Sequence, residues 1–152
     1  MTTTVTGIAG FESLVGQHLG WSDPIEITQE RVNTFADATG DHQWIHVDPE
    51  RAKSGPFGGP IAHGYLTLSL GPALITDVVQ VDGVAMAVNY GMGKVRFPSP
   101  VPVGSMVRMG AELSGFDRVG DNGGQATFTL TFEVVGAPKP SCVAEVIFRY
   151  YE

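Results

Sequence analysis

The chain has 152 residues and a net charge of −7, with nine Lys or Arg residues against sixteen Asp or Glu residues. Hydrophobic residues make up 43% of the sequence and charged residues 16%. This is the usual length of one domain, and the apolar content favours a folded core over disorder, so we expect a single domain over residues 1–152. The acidic balance argues against a nucleic-acid-binding surface and against attraction to anionic membranes.

Cysteine usage and hydropathy indicate the cellular location that we expect for the protein. The single Cys142 excludes an internal disulfide, and its place in an alternating apolar segment indicates a small core residue. Residues 1–10 lack a basic leader followed by a long apolar run, and no segment reaches the eighteen apolar residues of a membrane span. We therefore expect a cytoplasmic protein without membrane insertion.

The chain before residue 41 predicts a short strand followed by a helix. Residues 24–27 alternate between apolar and polar side chains, as a strand does. Thr28 can cap a helix whose apolar side chains recur at i, i+3 and i+4 from Val32. Gly40 is the expected end of that helix.

Two further helices are predicted between residues 48 and 76. Asp48 and Pro49 form a cap and a first helical position, which predicts a short helix over residues 50–54. Residues 64–76 are apolar on almost every side, so we expect a central helix buried nearly all round. Pro72 should kink that helix, because it lacks a backbone N–H and its ring clashes with the preceding turn.

In the second half of the chain the pattern of apolar and polar side chains is that of β-strands. Five segments predict strands: residues 84–90, 94–97, 106–113, 125–135 and 142–151. Residues 90–93, 121–124 and 137–140 carry turn signals, and short turns between consecutive strands favour antiparallel order. The expected architecture is α+β, with one strongly bent antiparallel sheet wrapped around one apolar helix.

Acid–base side chains cluster in the first half of the sequence. Asp41, His42 and His46 lie within six residues, and His63 directly precedes Gly64 at the predicted start of the central helix. A carboxylate can take a proton from water, an imidazole titrates near neutral pH, and free N–H groups at a helix start can receive developing negative charge. The pattern predicts an acid–base site.

Each of these residues also has a purely structural interpretation. Asp41 can be a loop carboxylate or a cap at a helix exit, and His46 can be a hydrogen-bonded loop histidine. We interpret His63 as structural, bonding backbone near the helix start, and His42 as a surface residue. A metal site made by these groups is disfavoured, because they lack the helical H-x(3)-H spacing of a zinc site.

Three segments carry a family resemblance that spans nearly the whole chain. FADATGDHQWIHVDP at residues 35–49, IAHG at 61–64 and VRFPSPVPVG at 95–104 resemble the MaoC-type (R)-specific enoyl-CoA hydratases, and in particular their single-domain mycobacterial members. The D-x(4)-H element and the A-H-G element occur in the family's order. The resemblance implies a hot-dog fold assembled as a homodimer.

The resemblance also implies a mechanism. Asp41 would act as the base on a water molecule, and His46 would position that water and deliver the proton to Cα. The Gly64 N–H would stabilise the negative charge that develops on the thioester oxygen. Syn addition to a trans-2-enoyl-CoA would give an (R)-3-hydroxyacyl-CoA, and no metal, nicotinamide or flavin cofactor is required.

The substrate-binding residues are less sharply specified by the sequence. Coenzyme A is anionic, so we expect contacts from Lys94 and Arg96, with Arg51 and Lys53 as further candidates, although each can be an ordinary solvated charge. Tyr65 is the expected start of an acyl-binding wall that includes Leu66 and Leu70, although core packing explains these residues equally well. Pro72 occupies a position where the family often has a small hydroxyl residue, so no side-chain hydrogen bond is expected there.

Three functions are compatible with these residues. Hydration of enoyl-CoA is favoured, because both the carboxylate and the imidazole are present. A hot-dog acyl-CoA thioesterase would use Asp41 to activate water toward the thioester carbonyl, but it would not need a proton delivered to Cα. A non-catalytic acyl-CoA-binding subunit would need neither residue, and the fold alone does not separate these functions.

Overall fold

The computed structural model describes residues 2–152, and within that range it contains eight β-strands, five α-helices and one 3-10 helix. The strands are β1 (Thr3–Thr6), β2 (His18–Trp21), β3 (Ile25–Glu26), β4 (Val79–Asp82), β5 (Met86–Arg96), β6 (Met106–Val119), β7 (Gly123–Val134) and β8 (Cys142–Tyr151). The helices are α1 (Gln29–Thr39), α2 (Trp44–Val47), α3 (Pro49–Lys53), α4 (Gly64–Ser69) and α5 (Gly71–Val78), and the 3-10 helix spans Ile8–Leu14.

One antiparallel sheet organises the molecule. Its strand order is β2-β6-β7-β8-β5, and β3 pairs with β6 beside β2. The strands β1 and β4 form a separate parallel pair. The sheet is open, since β5 pairs only with β8 among the described residues. The predicted α+β class is therefore observed, with helices on one face of an antiparallel sheet.

The core lies between that face of the sheet and the helices. On β7 the alternate side chains are completely buried, as the sequence period predicts: Ala126, Phe128, Leu130 and Phe132. At Gly71 the backbone comes so close to the sheet that an added Cβ would lie 3.2 Å from Leu130 Cδ1. Cys142 is fully buried on β8, and burial raises the pKa of its thiol to about 11, in keeping with a core role.

The central helix differs from the prediction in two ways. It is divided into α4 and α5 at Leu70, with Pro72 in the first turn of α5, where a missing N–H costs no hydrogen bond. It is also not buried all round, because one stripe at helical spacing is exposed: Tyr65, Ser69, Pro72, Ala73 and Thr76. Within residues 2–152, no helix combines the length and the apolar character needed to cross a membrane.

The region from residue 84 to 97 also differs from the prediction. The structure has one long strand, β5, where two strands separated by a turn at residues 90–93 were expected. The pairing of β5 with β8 shifts register between Asn89 and Gly91 and again between Met92 and Val95. The glycines that resembled a turn therefore lie at β-bulges, where an extra residue is accommodated without ending the strand.

Several short elements were missed from the sequence, namely β1, the 3-10 helix, β2, β4 and the one-turn helix α2. Their segments are too short to show a clear period. The predicted hairpin turns between β6 and β7 and between β7 and β8 are present, and both connect antiparallel neighbours.

Candidate active site

The helix α1 positions the first residue of the site. Its cap is Thr28, whose hydroxyl accepts a hydrogen bond from the Arg31 N–H at 3.1 Å. At the other end Gly40 has a φ of 83°, a left-handed conformation that glycine adopts without strain, and its N–H donates to Ala36 O at 2.8 Å. The helix therefore stops directly before Asp41, as predicted.

The two carboxylate oxygens of Asp41 have different surroundings, because Oδ1 accepts a backbone hydrogen bond and Oδ2 accepts none among the described residues. Its Oδ1 accepts a hydrogen bond from the Gln43 N–H at 3.3 Å, which shapes the loop after α1. Its Oδ2 lies 4.0 Å from His63 Nε2. About half of the side chain, 52%, is exposed, so water can reach the carboxylate. Asp41 can thus cap the loop and still act as a base.

His46 lies on α2 and is almost completely buried, with 6% of its surface exposed. Its Nδ1 lies 2.7 Å from the carbonyl oxygen of Ile61. A carbonyl only accepts, so we assign the proton of the neutral ring to Nδ1, which leaves Nε2 as a free acceptor. Burial is the largest cause that lowers the pKa of His46, and the neighbouring His63 lowers it further.

Gln29 was not singled out in the sequence, yet it supports His46. Its side-chain Nε2 donates to the carbonyl oxygen of His46 at 2.8 Å and to Asn33 Oδ1 at 2.9 Å. This contact ties α2 to the first turn of α1. A polar residue at a helix start gives no sequence signal for such a role, because most residues of that kind are simply solvated.

His63 is the central packing element of the site. Its ring stacks on His46 with 3.9 Å between ring centroids, and Phe35 packs near it at 4.9 Å. Its Nε2 donates to the backbone carbonyl of Asp41 at 3.0 Å, whereas its buried Nδ1 has no hydrogen-bond partner within residues 2–152. The expected backbone hydrogen bond exists, but it holds the loop of Asp41 rather than the start of α4.

His42 lies outside this cluster. Its side chain is 53% exposed, and its Nε2 pairs with Asp37 Oδ1 at 2.9 Å. The hydrogen bond that His42 donates to Asp37 is the largest cause that raises the pKa of His42. The position agrees with the surface role that the sequence suggested.

The geometry of the cluster also bears on metal binding. Asp41, His46 and His63 each place one ligand atom within 4.8 Å of the others. The two imidazole planes, however, are only 23° from parallel and are stacked. Imidazole lone pairs lie in the ring plane, so stacked rings do not converge on one ion as a tetrahedral zinc site requires.

Gly64 is the first residue of α4, directly after the stacked His63. The Phe97 ring packs against its Cα so closely that an added Cβ would lie 3.1 Å from two ring carbons. Glycine leaves room for the Phe97 ring here, and any larger residue would press on that ring.

The other predicted binding residues are dispersed. Tyr65 is exposed, and its ring meets Phe97 edge-on at 6.3 Å. Lys94 and Arg96 border a depression on the outer face of the sheet, together with the outward-facing Glu145. None of the three clustered acid–base residues borders this depression.

The two basic residues on α3 that are further candidates for binding coenzyme A interact with side chains close to them in sequence. Lys53 Nζ pairs with Glu50 Oε1 at 3.1 Å, and the Arg51 guanidinium lies 4.3 Å from the centroid of the Trp44 ring. The structure thus brings Asp41, His46 and His63 together and leaves the basic residues apart from them. Roles of the basic residues in substrate binding stay predictions.

The fold and the cluster together define an enzyme-like domain in which a half-exposed carboxylate and a buried neutral imidazole meet beside the start of a central helix. A family model described as "MaoC like domain" matches residues 10–134. The chain belongs to this family.

Similar proteins cover nearly the whole chain. The 3-hydroxyacyl-thioester dehydratase Z of Mycobacterium tuberculosis is 56% identical over 147 residues, which cover 97% of each chain. The solved structure of a monoamine oxidase regulatory protein from Archaeoglobus fulgidus superimposes with a TM-score of 0.81 at 26% identity, covering 100% of this chain and 98% of that one.

The (R)-hydratase from A. caviae involved in PHA biosynthesis superimposes with a TM-score of 0.67 at 26% identity, covering 88% of this chain and 94% of that one. These likenesses confirm both the family resemblance and the hot-dog fold predicted from the sequence.

His42 and His46 should titrate with midpoints on opposite sides of the ordinary histidine pKa of 6.5. We expect the His46 midpoint below this value and the His42 midpoint above it in an NMR pH titration of the imidazole resonances. Asp37→Asn should shift the His42 midpoint down and leave that of His46 unchanged. A His46 midpoint above 6.5 would contradict the assignment of a neutral, buried ring.

Proposed function

We propose that the chain catalyses (R)-specific hydration of trans-2-enoyl-CoA to (R)-3-hydroxyacyl-CoA, and the reverse dehydration, in fatty-acid metabolism. The observation that carries this proposal is the convergence of the Asp41 carboxylate with a buried His46 whose Nε2 is free. The prediction that the chain is a hydro-lyase of this class is confirmed by the 56% identical dehydratase.

The proposed chemistry starts from a water held by two acceptors, the carboxylate of Asp41 and Nε2 of His46. As the water oxygen forms a bond to Cβ, Asp41 acts as the base that draws off a proton. His46 begins neutral, so the proton that it delivers to Cα must come from the same water during the reaction. His46 passes that proton to Cα, and Asp41 returns the proton that it took to the oxygen on Cβ, so the alkene gains OH at Cβ and H at Cα and both protein groups return to their starting state.

We assign Gly64 as the donor that stabilises the thioester oxygen. This oxygen gains enolate-like charge while Cα awaits its proton, and a backbone N–H directed at it would lower the barrier. Gly64 is adjacent to His63 in sequence and begins α4, so its N–H lacks a partner within that helix. Tyr65, Lys94 and Arg96 remain our proposed contacts for the substrate.

The buried imidazole separates this function from the alternatives. A thioesterase needs Asp41 to activate water, but it has no use for an acid–base group directed at Cα. A non-catalytic acyl-CoA-binding subunit has no use for a histidine kept neutral by burial and held by the Ile61 carbonyl. We favour the hydratase because it uses both groups, and we expect it to act as a single cytoplasmic domain.

A homodimer is also proposed, joined through the free edge of β5. Every residue of β5 except Val95 is exposed in the single chain, and four large apolar residues on it are more than one-third exposed: Met86, Val88, Tyr90 and Met92. The exposed stripe on α4 and α5 borders the same side, since Tyr65 and Pro72 share a cavity with Met92. Strand edges and apolar patches of this kind are usually covered by a partner.

Our first test of catalysis is the pair Asp41→Asn and His46→Gln. Each should lower kcat by about a hundredfold or more, the scale of losing a positioned acid–base group. Asparagine keeps the Oδ1 that bonds Gln43, so the loop should stay folded. The assay follows loss of enoyl absorbance with crotonyl-CoA, and His42→Asn is the matched control, because it removes a neighbouring imidazole outside the cluster. Near-wild-type turnover by either variant would remove that residue from the mechanism.

Activity should be independent of metal ions. The stacked imidazoles are poorly arranged to ligate one ion, and the proposed reaction requires no Lewis acid. Enzyme dialysed against a chelator should keep full kcat, and added zinc should not increase it. Loss of activity on chelation with specific recovery on adding zinc would overturn this prediction.

The dimer prediction concerns the edge of the sheet. The wild-type protein should sediment as a dimer at micromolar concentration, and Val88→Lys should weaken the association, because charged residues on an edge strand oppose pairing. Val135→Lys is the control, since Val135 is also exposed but lies beyond the end of β7. A fully active wild-type monomer would exclude the dimer as the functional form.

The stereochemical prediction tests the shared water directly. Because Asp41 and His46 lie on one side of the substrate, the hydroxyl and the proton should reach the same face of the alkene. Hydration in deuterated water should give the (R)-3-hydroxyacyl product with deuterium added syn at Cα, as read by chiral analysis and NMR. An (S) product would contradict the assigned specificity, anti addition would exclude the single water, and release of free CoA without hydroxyacyl product would favour the thioesterase.

A further inference from the structure

Of the three clustered acid–base residues, His63 is the one that the proposed reaction does not use. Its side chain is 3% exposed, and its buried Nδ1 has no hydrogen-bond partner among the residues that the structure describes. Burying an imidazole nitrogen without a partner destabilises a fold, whereas an apolar ring would fill the same space without that cost. A local feature that costs stability and lies beside two acid–base groups points to function rather than to packing.

The edge of the His63 ring holds the loop that carries Asp41. His63 Nε2 donates to the Asp41 carbonyl oxygen at 3.0 Å, across 22 positions of sequence. The other hydrogen bonds of Asp41 are local, since its N–H donates to Thr39 Oγ1 and its Oδ1 accepts from the Gln43 N–H. Within residues 2–152, the bond from His63 is therefore the only long-range hydrogen bond that fixes Asp41.

The face of the same ring covers His46. The two rings are 3.9 Å apart between centroids and 23° from parallel, and Phe35 of α1 packs on His63 from a tilted position at 4.9 Å. The titratable groups that face His46 are Asp41 and His63. Burial is the largest cause that lowers the pKa of His46, and the stacked ring of His63 contributes to that burial.

We propose that His63 is a positioning residue for hydration, whose edge fixes the loop of the base and whose face fixes the imidazole, so that one ring sets the separation of the two reacting groups. The inference rests on the proposed function, in which Asp41 and His46 share one water. The three side chains each place one ligand atom within 4.8 Å of the others. A misplacement of about 1 Å at a reacting centre can slow a reaction about a hundredfold.

Two substitutions separate the two contacts of His63. His63→Gln keeps an amide N–H that can reach the Asp41 carbonyl but removes the stacked ring, whereas His63→Phe keeps a ring and removes the donor. Each variant loses one of the two constraints, so each should lower kcat with crotonyl-CoA by about tenfold. KM should change by less than about twofold, because His63 binds no part of the substrate in the proposed mechanism.

The titration midpoint of His46, measured by NMR, is a readout that a role in packing alone would not move. His63→Gln removes both the ring that covers His46 and the neighbouring imidazole, and both lower the His46 pKa, so the midpoint should rise toward 6.5. His63→Phe leaves a ring over His46, so the midpoint should stay below 6.5 and closer to the wild-type value.

The control for a general loss of stability is Leu113→Ala. Leu113 is fully buried on β6 and lies outside the acid–base cluster. Its truncation leaves a cavity in the core, so the thermal midpoint should fall. The kcat of the folded enzyme and the His46 midpoint should keep their wild-type values. Thermal midpoints of the two His63 variants, measured alongside, set a temperature at which every protein is assayed folded.

Three results would overturn the inference: near-wild-type kcat in either His63 variant, a loss that appears only in KM, or an unchanged His46 midpoint in His63→Gln. The failure of the proposed function looks different. In that case the wild-type protein hydrates no enoyl thioester, whereas an active wild type with silent His63 variants rejects only the positioning role.

Discussion

The hydrogen bond between His46 Nδ1 and the Ile61 carbonyl, 2.7 Å long, is the contact on which the site depends. It is reinforced by the Ile61 N–H, which donates to the Ile45 carbonyl at 3.0 Å, so the two segments are joined twice. The next residue, Ala62, donates to Val101 O at 2.8 Å and ties the pair to the rest of the fold. A one-turn helix such as α2 is not stable alone. These bonds hold it, and the bond from His46 Nδ1 leaves Nε2 as the nitrogen that the proposed mechanism uses.

That constraint assigns different tasks to the two acid–base groups. His46 is buried and its pKa is lowered, so a lasting positive charge on its ring is unfavourable. Asp41 is half exposed, and water stabilises its negative charge. In the proposed mechanism the exposed carboxylate therefore serves as the base, whereas the buried imidazole carries a proton only briefly. The difference in burial supports this division of roles between the two residues.

The sequence predicted the parts of the fold that have a clear period or a strong cap. The alternation on β7 and the Thr28 and Gly40 ends of α1 correspond to what the structure shows, because local geometry alone specifies them. The long strand β5 was missed, since Gly91 and Gly93 are compatible with a turn as well as with bulges, and only pairing with β8 decides between them. The exposed stripe on α4 and α5 was missed because apolar side chains give the same pattern whether the core or a partner covers them.

The candidate site shows the same division between local and long-range information. Asp41 and His46 share a short motif, so their proximity could be predicted, and the A-H-G element placed His63 and Gly64 near a helix start. The stacking of His63 on His46 and its hydrogen bond to Asp41 join residues 17 and 22 positions apart, and no local pattern encodes them. His63 thereby connects the carboxylate loop to the buried imidazole by one ring. A side chain that sets the distance between two reacting groups can matter to catalysis as much as either group, since small displacements at a reacting centre are costly.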